Sequence, residues 1–196
     1  TAVLFGIQGI GYDAAGNRLI ALDSYKKVIW QIDLSTAHRA PLASGSIGTG
    51  PAIDFPGRMD VNGEAGVAYY VEQNTNTLIR LDLSTGDRTV VSGGAIGTGP
   101  AFAGVTDVAL DQDGNRAFVS DWTIDALFAV DLATGDRTLV SDSATVSGPI
   151  ITVPRSLTYD DVNDLVLMAD FDQDALFAVV ITTGNRIVLS DNAGIG

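Results

Sequence analysis

Four acidic residues, Asp23, Glu72, Asp121 and Asp170, close apolar runs at a constant spacing of 49 residues. Carboxylates brought to one place bind hard cations such as Ca2+. The same side chains have a local use, because an Asp oxygen accepts main-chain N–H groups of a neighbouring turn. Recurrence in every copy of the pattern favours the local use, with a metal ring as the alternative. The stretch "DFDQDALF" adds Asp172 and Asp174 to Asp170 at alternate positions, three carboxylates that could face one ion. It lacks the Gly and the distal Glu of an EF-hand loop. "DQDGN" (111–115) brings its Gly too early for such a loop and reads as a turn.

Nucleophilic chemistry has little to work with. There is no Cys, and the single histidine, His38, lies in "STAHRA" where the other copies read "TGDR" or "TGNR", a surface turn rather than the base of a triad. Trp122 directly follows Asp121 in a loop. An exposed indole beside acids can stack on a sugar ring, whereas a partly buried loop Trp is the plainer reading. Trp30 falls in register with Ile79, Phe128 and Phe177 and is expected in the core. Asp33, Asp82 and Asp131 are expected to pair across strands with Arg39, Arg88 and Arg137, flanking a turn.

The elements that must position these residues follow from the period. Arg39, Arg88, Arg137 and Arg186 are also 49 residues apart, and four such units make up the 196 residues. Within one unit, "VTDVALD", "RAFVSDW", "LFAVDL" and "RTLVSD" read as four short strands separated by turn sequences. Gly-, Thr- and Pro-rich stretches such as "GGAIGTGPAFAG" carry the chain to the next unit, and no helical periodicity competes. Serial four-stranded units of this length specify an all-β fold, a β-propeller of four antiparallel blades with repeats at about 1–47, 48–96, 97–145 and 146–196. The chain begins and stops within connections, which fits a closed four-blade ring, a segment of a longer array, or one half of an eight-blade homodimer.

Composition narrows the partners. With 24 Asp and Glu against 11 Lys and Arg, the net charge of −13 repels phosphate backbones and anionic bilayers, so neither nucleic acid nor membrane insertion is expected. No run of 18 or more uninterrupted apolar residues occurs, and no basic start leads into an apolar segment.

The stretch "GVTDVALDQDGNRAFVSDW" resembles blades of the NHL and SMP-30/gluconolactonase-like propellers, and the likeness extends over all four repeats. That resemblance implies a metal-dependent lactonase or hydrolase as one function, with a central divalent ion held by Glu, Asn and Asp side chains at the starts of first strands. The matching positions here are Gly9, Arg58, Asp107 and Ser156, so only Asp107 fits, and Arg58 and Arg155 near the channel oppose a central cation. The preferred expectation is a non-catalytic module of a secreted or cell-surface protein, extracellular or periplasmic. It would bind a small molecule, glycan or protein through Trp122, Arg58, Asp107 and Arg155, with Ca2+ as an optional stabiliser. A structural segment of a large adhesin-like chain is the third reading.

Overall fold

The computed structural model describes residues 3–193. Among the described residues sixteen strands form four separate antiparallel sheets, each in sequential order. The first blade holds β1 (Ile7–Asp13), β2 (Arg18–Asp23), β3 (Val28–Asp33) and β4 (Arg39–Ala43). The second holds β5 (Pro56–Asn62), β6 (Val67–Glu72), β7 (Thr77–Asp82) and β8 (Arg88–Ser92). The third holds β9 (Val105–Asp111), β10 (Arg116–Asp121), β11 (Ala126–Asp131) and β12 (Arg137–Asp142). The fourth holds β13 (Pro154–Asp160), β14 (Leu165–Asp170), β15 (Ala175–Val180) and β16 (Arg186–Ser190). This is the all-β, four-blade propeller arrangement expected from the period.

The turns explain why the strands stop where they do. Each of the three hairpin turns in a blade needs one residue in the left-handed region, and that position recurs every 49 residues. Between first and second strands it is filled by Asn17, Gly66, Asn115 and Asp164, and between second and third by Lys27, Asn76, Asp125 and Asp174. Between third and fourth strands it is filled by Gly86, Gly135 and Gly184, residues that adopt positive φ without strain. The first blade has Ala37 there at φ 56° instead.

The core lies between blades. Ile20, Leu22 and Ile29 of the first sheet pack with Met59, Tyr70 and Ile79 of the second. Val71 and Leu78 continue into the third sheet, and Phe118 and Leu127 into the fourth. Trp30, Ile79, Phe128 and Phe177 are all buried at one register position, as their alignment requires. The inner strands pack in the order β1, β5, β9, β13, and no packing of comparable extent joins β13 back to β1.

The expected Asp–Arg pairs are not formed. Asp82 and Asp131 accept the N–H groups of their own turns, from Ser84 and Thr85 and from Ala133 and Thr134. The arginines instead reach back to the connection that precedes their blade. Arg88 Nε donates to Pro51 O at 2.9 Å, Arg137 Nε to Pro100 O at 2.7 Å and Arg186 Nε to Pro149 O at 2.5 Å. The physical reason is supply: a Gly-rich connection leaves carbonyls without strand partners, and a guanidinium has enough donors to satisfy several of them.

Candidate functional site

The Asp23, Asp121 and Asp170 carboxylates each join two loops of one blade, and Glu72 holds the loop ahead of β5. Asp121 Oδ2 accepts the N–H groups of Ala103 and Gly104 ahead of β9, and its Oδ1 accepts those of Thr123 and Ile124 after β10. Asp23 likewise takes Phe5 and Lys26, Glu72 takes Asp54 and Phe55, and Asp170 takes Thr152, Val153 and Gln173. All four are buried. These oxygens therefore organise the rim loops at the starts of the first strands. Asp172 and Asp174 are exposed. Among the described residues no three His, Cys, Asp or Glu side chains are grouped to share an ion. Asp125 sits close to these loops, and burial first, then the charges of Asp170, Asp121 and Asp172, push its carboxyl up. "DQDGN" is a turn in which Asp111 accepts Gly114 N–H at 2.8 Å and holds Arg116. His38 lies exposed in its turn.

The positions read from the first strands do come together. Gly9, Arg58, Asp107 and Ser156 line one cavity of about 330 Å3 at the channel, with neighbours from all four inner strands. Asp107 is buried, and its two oxygens accept Val108 N–H and Leu157 N–H, each at 2.8 Å. Burial pushes its carboxyl up to about 7, against the opposing effect of those two N–H groups and of the Arg58 charge. Asp60, two residues further along its strand than Arg58, makes the same kind of bridge to Leu110 N–H at 2.9 Å. Inner-strand carboxylates thus tie the second blade to the third and the third to the fourth.

Arg58 extends across the channel, and its Nη1 donates to the carbonyl of Arg155 at 2.5 Å. The Arg155 guanidinium in turn lies 5.9 Å from the Trp122 ring centroid and 5.8 Å from that of Phe171, within reach of a cation–π attraction to both. Trp122 is 48% exposed and Phe171 more so, so both rings present surface to solvent around the cation. The four residues singled out from the sequence, Trp122, Arg155, Arg58 and Asp107, therefore form one continuous line from rim to channel. Phe171 completes it and was missed. A signal existed, since Phe171 stands 49 residues after Trp122 at the same loop position.

Chemically, the arrangement offers two cationic groups, two aromatic faces and one carboxyl whose protonation changes near neutrality. A divalent ion finds poor ligands here, because both Asp107 oxygens already face N–H donors and the neighbouring first-strand positions are Gly, Arg and Ser.

Two solved structures share the fold. One is a chain of a nidogen/laminin complex, with a TM-score of 0.75 at 14% identity over 94% of this chain and 63% of that one. The other is a structural-genomics protein of unknown function from Bacteroides thetaiotaomicron VPI-5482, with a TM-score of 0.70 at 16% identity over 96% of this chain and 44% of that one. The chain thus spans less than two thirds of either. No family model and no curated protein matches it.

Proposed function

We propose that this chain is a binding module of a secreted or cell-surface protein, and that it captures a ligand bearing an anionic group beside a ring, such as an acidic sugar, at the rim of its channel. The observation that carries the reading is the placement of the Arg155 guanidinium between the exposed rings of Trp122 and Phe171, joined through its own carbonyl to Arg58. A ring can stack on the indole while its carboxylate meets the guanidinium, and charge-assisted hydrogen bonds to Arg are among the stronger polar contacts. The likeness to a chain from a nidogen/laminin complex supports a role in binding. Binding is favoured over metal-dependent hydrolysis by the ligand-poor first-strand positions, and the proposal places no Ca2+ on the rim carboxylates.

Fluorescence titration tests it with a matched pair of probes, glucuronate and glucose. Trp122 is exposed and Trp30 buried, so the response reports the rim. A saturable change with glucuronate, weaker with glucose and abolished in Arg155→Ala, is the expected result. No saturable response to glucuronate, or one unchanged in Arg155→Ala and in Trp122→Phe, overturns the proposal.

A further inference from the structure

The Arg58 side chain is half-buried in the channel cavity, and its charge is mostly unused. Its one hydrogen bond among the described residues runs from Nη1 to the carbonyl of Arg155, although a guanidinium carries five N–H donors. The ion pairs of the described residues join Arg18 to Asp13, Lys27 to Asp54, and Arg116 to Asp111 and Asp164, and none includes Arg58. The two carboxylates of the cavity are committed elsewhere. Asp60 accepts Val61 N–H at 2.7 Å and Leu110 N–H at 2.9 Å. Asp107 accepts Val108 N–H and Leu157 N–H, and burial pushes its carboxyl up to about 7, so at pH 6 it carries little charge against Arg58.

Arg58 rests on the main chain of Arg155, whose own guanidinium lies at the rim near the Trp122 and Phe171 rings. The two cations therefore stand at the two ends of one residue, one at the rim and one in the channel. A single sugar stacked on Trp122 with its carboxylate on Arg155 leaves Arg58 without an anion. The cavity beneath has about 330 Å3, within the range of small-molecule sites, and its polar lining includes Gln8, Ser156 and Thr158. That lining suits a ring rich in hydroxyls, and the cation in it suits a second carboxylate.

We propose that the ligand is an acidic oligosaccharide of at least two sugar acids. One ring sits at the rim on Trp122 with its carboxylate on Arg155, and the next enters the channel cavity with its carboxylate on Arg58 and its hydroxyls on Ser156, Thr158 and Gln8. This rests on the reading of the rim given above and adds to it a second subsite and a chain length. Linking the two rings makes the second contact intramolecular, so the dimer gains affinity over the single sugar by far more than the doubling of its anionic groups.

Titration calorimetry on the full chain tests this with four probes: glucuronate, its β-1,4-linked dimer, and the two mixed disaccharides in which glucose replaces one or the other glucuronate. At pH 6 Asp107 is mostly uncharged, and at about 0.15 M salt the repulsion from the net charge of −13 is short-ranged. The dimer is expected to bind at least about tenfold tighter than glucuronate and than either mixed disaccharide. In Arg58→Gln, with its far-UV circular dichroism unchanged, the dimer is expected to lose that advantage over the better mixed disaccharide. Glucuronate that binds as tightly as the dimer overturns the channel subsite and leaves the rim reading standing, whereas no binding of either overturns both. An advantage shared by the mixed disaccharides, or kept in folded Arg58→Gln, also overturns the channel subsite. Should Arg58→Gln misfold, the four probes on the wild-type chain still decide.

Discussion

The Asp107 carboxylate on β9 accepts the main-chain N–H of Leu157 on β13 at 2.8 Å, tying the third blade to the fourth from inside the channel. Its pKa of about 7 makes that tie dependent on pH. In the unfolded chain the carboxyl ionises near 3.8, so between about 4 and 7 the folded protein holds a proton that the unfolded chain has released. Stability therefore falls as pH rises through this window, by a few kcal/mol at most. Urea denaturation across a pH series should show a steeper decline for wild type than for Asp107→Asn. Parallel curves would mean that Asp107 ionises at its ordinary pKa in the folded state.

Arg137 is buried and binds neutral partners, with Pro100 O at 2.7 Å, Ile96 O and Ser92 Oγ each at 2.9 Å, and the Phe102 ring beneath it. A lysine reaches one of these acceptors and leaves the others without donors, so Arg137→Lys should cost about 1–3 kcal/mol. The loss should vary little with salt, because no carboxylate is hydrogen-bonded to the guanidinium. Chemical denaturation at low and high salt measures both.

Tyr70 is fully buried and its hydroxyl has no hydrogen-bond partner among the described residues. The fold carries the cost of dehydrating that group with no bond in return, and its ionisation is strongly disfavoured, first by burial and then by the Glu72 charge. Tyr70→Phe should raise stability by about 1 kcal/mol. A loss of stability on thermal melting would mean that the hydroxyl is hydrated in solution.

Ala37 holds a left-handed conformation where the other three blades have glycine. Ala37→Gly should stabilise the protein by about 0.5–1 kcal/mol, the relief of side-chain strain exceeding the extra flexibility of the unfolded chain. The same substitution made in reverse at Gly135 should destabilise by a larger amount, since a Cβ there would meet Val91 O at 2.1 Å.

The period and the strands were legible because each blade needs the same alternation of apolar residues and the same left-handed turn positions. The rim role of Asp121 and its counterparts was legible for the same reason, as a residue needed locally in every unit must recur in every unit. The arginine grips were not. A guanidinium that pairs with neutral carbonyls has no charged complement in the sequence, and the nearby acids Asp82 and Asp131 offered a false one. The line from Trp122 through Arg155 and Arg58 to Asp107 was readable residue by residue, since these positions depart from the repeat. Their connection depends on the curvature of the arc, which brings Arg58 of the second blade to Arg155 of the fourth, and no local pattern encodes that curvature.

The grips of Arg88, Arg137 and Arg186 each close a loop within one repeat, from the outermost strand back to the connection 37 residues earlier. Closure over so short a stretch is fast compared with pairing distant segments. Each blade can therefore be completed soon after its last strand leaves the ribosome and then serve as the template on which the next one docks, so the molecule is built for vectorial maturation from its N-terminal end.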